Sequence, residues 1–347
     1  KRLLPELQAD HEFVQMFHDE ALIACQLNHP NIVQIYELGE LDGSLFIAME
    51  LLRGVNLRDI LARLHTTHKS LPIPLAVRVC CEALEGLQYA HAFADQRGRR
   101  LNVVHRDVSP QNMIVTYEGT VKLVDFGVAK AEGKLHQTRA GLVKGKFAYM
   151  SPEQITGGQV DGRSDIFAIA EVFYELLVRR HPFYAATDMD VLRAILDQEP
   201  PHPSQLDPKF PVGLGDIFMK ALRKKPQDRY PDCAAMQEAL EHFLLEQRTP
   251  ATSIALGRFL RDTFSDRMEM EQAARERGDD DLLIEAMTAG RAEYVKSMGK
   301  GAIPRAQGDD GGEEQARGIV VRNGRDRSHE VSDPAERGVL ASDTTGG

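Results

Sequence analysis

The chain has 347 residues, 42% of them hydrophobic and none of them Trp, with a formal net charge of −10 at pH 7. That length fits one large two-lobed domain with a tail, or about two average domains. The acidic balance, with basic residues scattered rather than striped, excludes a nucleic-acid binder that works by bulk electrostatics. Cys25, Cys80, Cys81 and Cys233 have neither metal-ligand nor secreted-disulfide spacing, which points to reduced thiols and a cytoplasmic location. No apolar run reaches the roughly 18 residues of a membrane span, and there is no signal peptide.

The sequence opens on Lys1 rather than Met, and reads as starting inside a longer chain. Residues 10–27 place Phe13, Met16, Phe17, Leu22 and Ile23 on one helical face. "NIVQIYELGE" and "SLFIAMELL" are β-rich runs around "LDG" and predict a hairpin. A turn-rich crossing is expected near 51–56. Helical patterns follow at 56–66 and 75–96, then two short β runs, "NMIVTYEG" and "TVKLVDFG". Residues 128–150 carry no clear period. Helices are predicted near 162–179, 188–198, 213–224 and 232–247, with one or two amphipathic helices in 251–290. From about 298 the composition turns to Gly, Asp, Arg, Ser and Glu, too poor in apolar surface to fold alone.

Two motifs stand out against this background: "HRDVSPQN" at 105–112, on a loop between a long helix and a short strand, and "DFG" at 125–127, after the next strand. Taken singly, "DFG" is a common turn-like tripeptide, His105 a packed core histidine and Arg106 a surface charge. As an ordered set they match H-R-D-x-x-x-x-N followed by D-F-G. Lys1 stands 19 residues before Glu20, "NHPNIV" (28–33) follows the first helix, "SPEQ" (151–154) takes the place of A-P-E, and "SDIFAIAEVFYELL" carries Asp165. Arg229 in "PQDRY" matches a late arginine that would pair with Glu153. Over about residues 1–247 this set resembles the eukaryotic-type (Hanks-type) serine/threonine protein kinases, in their bacterial branch.

The resemblance implies an α+β, bilobal kinase-like fold: a small, incomplete β-rich N-lobe (1–52), a larger, mainly helical C-lobe (53–250), a helical extension (251–297) and a disordered tail (298–347). It implies ATP and Mg²⁺ as cofactors and a protein substrate. Asp107 would orient the substrate hydroxyl and take its proton, while Asn112 and Asp125, oxygen-only ligands, would hold the metal. Lys1 would sit on the phosphates, paired with Glu20. Met49 would be the gatekeeper, the backbone of Glu50 and Leu52 would bond the adenine edge, Asn56 would lie near the ribose and Ile114 would floor the pocket. Each apolar member of that list could equally be plain core.

The pattern departs from the family in two places. The glycine-rich loop is absent, and clipping ahead of Lys1 is the preferred account over a natural loss. The lysine usual two residues after the catalytic Asp is replaced by Ser109, while Lys146 in "GKFAYMSPE" holds the place of a threonine. The expectation is that Lys146 reaches back and supplies the missing cation; the alternative is a solvated lysine beside Lys144. Arg106, directly before Asp107, suggests control by activation-segment phosphorylation. Lys130 is expected to join Arg106 in a phosphate pocket, and Thr138 is the expected autophosphorylation site, which leaves room for self-association. A different class of function also stays open: a pseudokinase that uses the fold as a binding scaffold, favoured by Ser109 and opposed by intact Lys1, Glu20, Asp107, Asn112 and Asp125.

Overall fold

The computed structural model describes residues 1, 3, 11–41, 44–95, 97–126, 147–248 and 250–279, with residues 11–13, 16, 19 and 20 described by their backbone. Lys1 and Leu3 run antiparallel along the strand that ends at Met49. Lys1 and Ile47 exchange backbone hydrogen bonds of 2.9 and 2.7 Å, and the Leu3 N–H donates to Leu45 at 2.9 Å. Helix α1 (His11–Ala24) precedes the hairpin of β1 (Ile35–Leu41) and β2 (Ser44–Met49), which pair antiparallel with a register shift between Ile35 and Glu37. Leu3, Phe17, Ala21, Ala24, Ile35 and Ile47 form a small buried cluster of their own.

Of the crossing expected near 51–56, residues 51–53 carry no regular structure, but the rest is a strand. β3 (Gly54–Asn56) pairs with β4 (Met113–Thr116), which pairs with β5 (Val121–Leu123), all antiparallel. Three residues are too few to display an alternation, so its partner rather than its pattern makes β3 extended. Helix α2 (Leu57–Thr66) follows, capped by Asn56, whose Oδ1 accepts from the Asp59 N–H at 2.8 Å. Helix α3 (Ile73–Ala92) stops four residues short of the predicted end, because Phe93 turns extended and Ala94 bridges Arg100.

Beyond the loops come α4 (Pro152–Thr156), α5 (Gly162–Val178), α6 (Asp188–Asp197), α7 (Pro203–Leu206), α8 (Val212–Ala221) and α9 (Cys233–Gln247). The short α4 and α7 lay below the reach of periodicity. Helix α5 is buried at every position from Ser164 to Leu176, its carboxylates Asp165, Glu171 and Glu175 included. It packs between α3, α8 and α9 in a second, much larger cluster that includes Leu84, Phe167, Phe173, Phe218 and Leu240. The "NHPNIV" segment joins the two lobes. The Asn31 amide donates to the Val121 carbonyl (2.9 Å) and to buried Glu82, and the Asn31 carbonyl accepts from the Leu123 N–H.

The predicted amphipathic helices after residue 250 are α10 (Ser253–Thr263) and α11 (Ser265–Arg277). They are not appended to the surface: Leu256, Leu260 and Phe264 belong to the large cluster. The turn between β4 and β5 meets the start of α10 at Gly119, which has φ +87° and faces the Ser253 carbonyl so closely that a side chain would collide with it. The expected tail from 298 lies outside the described residues.

Candidate active site

The loop after α3 is held from below by one carboxylate. Asp165, fully buried on α5, accepts from the backbone N–H of His105 (2.8 Å) and of Arg106 (2.9 Å), and meets His91 Nε2 at 2.7 Å. Burial alone would discharge both side chains. The His91 contact, together with the two N–H donors, keeps the Asp165 carboxyl below its ordinary range. His91 in turn, despite burial, is raised to about 10 by Asp165 and Cys233. Gly162 makes the contact sterically feasible, since a Cβ there would press into the His91 ring.

His105 is fully buried, and that burial lowers its pKa and keeps it neutral. Its Nε2–H donates to the Val124 carbonyl at 3.1 Å, its Nδ1 accepts from the Asp107 N–H at 3.3 Å, and its ring lies 4.5 Å from that of Phe126. The histidine therefore ties the loop to the segment that carries Asp125, a structural role in keeping with a packed core histidine. Arg106 (φ +62°) and Asp125 (φ +57°) both sit in the left-handed region, a conformation non-glycine residues hold only when their surroundings over-determine it. For Arg106 the clamp includes Gln154, whose Nε2 donates to the Arg106 carbonyl at 2.9 Å.

Asn112 donates through Nδ2 to the Asp107 carbonyl (2.8 Å) and carboxylate (3.2 Å), while its own backbone carbonyl accepts from the Val124 N–H at 3.0 Å. Asp107, Asn112 and Asp125 thus converge, and Lys1 Nζ reaches Asp125 Oδ1 at 3.0 Å. With its amide nitrogen turned to Asp107, Asn112 keeps its side-chain oxygen as an acceptor. That oxygen and the half-exposed Asp125 carboxylate make an oxygen-only donor set, which fits a hard divalent cation. Above them Lys1, Ile32, Ile47, Met49, Asp125 and Phe126 line a small cleft.

The other nucleotide-site candidates follow β2 or lie on β3 and β4. The Glu50 N–H donates to the Gln34 carbonyl (2.9 Å), and its carboxylate pairs with Lys122 at 2.5 Å. Leu52 is half-buried in the stretch leading into β3. Asn56 on β3 is the register partner of Ile114 on β4. Lys130, Thr138 and Lys146 lie outside the described residues, as does the side chain of Glu20, so the described partner of Lys1 is Asp125. Glu153 and Arg229 do meet, in a buried pair with bonds of 2.7 and 2.8 Å, and Ser164 adds a third bond to Glu153 at 2.6 Å.

Sequence reasoning missed Gln154, His91 and Lys122. Only Gln154 left a trace, because "SPEQ" is a capping box in which Gln154 Oε1 accepts from the Ser151 N–H at 3.0 Å. His91 gives no such signal, because it falls in period with the apolar positions of the helix predicted over 75–96.

The protein kinase domain family model matches residues 2–245. Among curated proteins, the tyrosine-protein kinase MasK of Myxococcus xanthus is 45% identical over 273 residues, 79% of this chain and 42% of that protein. The serine/threonine-protein kinase PknB of Mycobacterium leprae is 35% identical over 245 residues, 69% of this chain and 38% of that protein. The chain therefore spans less than half the length of either. Among solved structures, the PknI kinase domain of Mycobacterium tuberculosis is 29% identical, with a TM-score of 0.51, over 70% of this chain and 83% of that one. The chain belongs to the protein kinase family, in its bacterial, Hanks-type branch.

Proposed function

We propose that the chain transfers the γ-phosphate of ATP, as its Mg²⁺ complex, to serine and threonine hydroxyls of proteins. The observation that carries this reading is two side-chain pairs, Asn112 with Asp107 and Lys1 with Asp125, brought side by side by the Val124 N–H bond to the Asn112 carbonyl. Asp107 orients the attacking hydroxyl and accepts its proton. Asn112 and Asp125 would hold the metal, which when bound offsets charge on the phosphate oxygens, and Lys1 adds a fixed cation beside Asp125. The backbone of Glu50 and Leu52 would bond the adenine edge, with Met49 as gatekeeper, Ile114 as the floor and Asn56 near the ribose. A set of this kind stabilises a loose transition state chiefly by position and charge.

Lys146 takes over the cation that the family carries at the position of Ser109. Phosphorylated Thr138, bound by Arg106 and Lys130, orders the activation segment, and one copy serves as substrate for another. Reduced, free cysteines (Cys25, Cys80, Cys81 and Cys233) fit work in the cytoplasm, where ATP is supplied. Among the described residues no helix is long and apolar enough to cross a membrane.

The test is transfer of labelled phosphate from ATP and Mg²⁺ to a mixed protein acceptor, followed by phosphoamino-acid analysis. Phosphoserine and phosphothreonine are expected, with loss of about 10²-fold or more in Asp107→Asn. A second reading, tyrosine as acceptor, is favoured by the name of the Myxococcus relative, and phosphotyrosine alone would establish it. Against it stands "DVSPQN", which lacks the arginine-containing loop of tyrosine kinases. Neither transfer nor nucleotide binding, in this chain and in one extended upstream, would leave the scaffold reading. Thr138→Ala with unchanged self-phosphorylation would remove the activation-segment proposal.

A further inference from the structure

Helix α11 begins twenty residues past the end of the kinase family match at residue 245, yet it is bonded to α2, the helix that Asn56 caps. Arg267, 4% exposed, donates through Nη1 to Asp59 Oδ2 at 3.1 Å and through Nε to Glu271 at 3.3 Å. One turn along α2, Arg63 pairs with Asp266 at 2.9 Å and lies over the Phe264 ring. Two adjacent residues of α11 thus lock two residues of α2, with the charges crossed. Tyr117, on the far side, donates to Glu271 at 3.2 Å.

Asp59 is the pivot. The oxygen that receives Arg267 also receives Asn56 Nδ2 at 3.2 Å, and the Asp59 N–H donates to Asn56 Oδ1 at 2.8 Å. Both ends of the planar Asn56 amide are therefore set by one residue. An amide retains a second N–H and a second lone pair for a ligand, aimed by whatever fixes its plane. The Asp59 carboxylate is 3% exposed, so without Arg267 it would be a buried charge lacking its cation, and would have to turn or draw in water.

We infer that Arg267 is a positioning residue for the nucleotide: through Asp59 it fixes the Asn56 amide at the ribose hydroxyls, so that α11 belongs to the ATP site. This rests on the reading of Asn56 given above.

The experiment compares the affinities of ATP and of 2′,3′-dideoxy-ATP, which lacks both ribose hydroxyls, in wild type, Asn56→Ala, Arg267→Met and the double variant. Arg267→Met is expected to weaken ATP by about fivefold, roughly one hydrogen bond, raising the KM for ATP while kcat changes less than about twofold. Dideoxy-ATP should be little affected, and the double variant should bind ATP no more weakly than Asn56→Ala. Equal loss for both nucleotides, no loss in a folded variant, or full additivity would overturn the inference. If Arg267→Met fails to fold, Asp59→Asn/Arg267→Gln, which removes both charges, takes its place under the same criteria. Unchanged ATP affinity in Asn56→Ala would overturn the ribose reading and the inference with it. Absence of ATP binding in wild type would instead strike at the kinase reading.

Discussion

His91 and Asp165 form a pair 2.7 Å apart, with side chains 13% and 1% exposed, at the root of the loop that carries Asp107. The histidine's pKa in the folded chain, about 10, exceeds its ordinary 6.5. Its contribution to stability is therefore complete below pH 6.5 and is lost as the pH rises through 10. Asp165, held low, contributes above its ordinary 3.8 and loses that contribution on acidification. Replacing His91 by Gln should lower stability by about 2–4 kcal/mol near pH 6, and the gap should close towards pH 10. Urea unfolding of both proteins across that range is the measurement; a gap independent of pH would mean that the histidine packs rather than pairs. A second test at this scale concerns Ser109 and Lys146. Lys146→Thr should cost on the order of 2–4 kcal/mol of transition-state stabilisation. Ser109→Lys should crowd two cations, and the double variant should recover much of the loss. Strictly additive losses in kcat/KM would end the idea that the charge has moved.

Between elements, the buried Glu153–Arg229 pair links α4 to the loop before α9. Arg229 also donates to the carbonyls of Arg163, Arg223 and Lys224. Truncating one partner leaves the other charged and dry, so Arg229→Met should destabilise by about 3–5 kcal/mol. Thermal unfolding reads this directly, and a loss below about 1 kcal/mol would mean that the pair barely matters. This link was legible in advance, because "SPEQ" and "PQDRY" are recognisable strings. So were the β1–β2 hairpin and α5, whose residue patterns leave one solution each. β3 and α4 were not legible: three and five residues carry no period, and their form depends on partners distant in sequence. The same applies to the site. Asp107, Asn112 and Asp125 were nominated by the motifs "HRDVSPQN" and "DFG" and the resemblance they carry, whereas Gln154, His91 and Asp59 act through contacts 48, 74 and 208 positions away.

For the whole molecule, the two hydrophobic clusters differ greatly in size, and the larger one runs without interruption from Leu27 through α5 to Phe264. Residues shared in one core should melt together. Leu260→Ala, at a site 1% exposed, is expected to cost about 2–5 kcal/mol and to lower the midpoint seen by every probe of the helical lobe equally. A separate early transition confined to α10 and α11 would contradict that unity.

The seat of α10 on the β4–β5 turn has a practical corollary. A protein trimmed at residue 245, where the family match ends, would uncover the Leu256, Leu260 and Phe264 side of the core and strand Asp59 without its arginine. Such a fragment would carry a fresh greasy face beside an orphaned charge. It should precipitate or self-associate where the longer chain stays in solution.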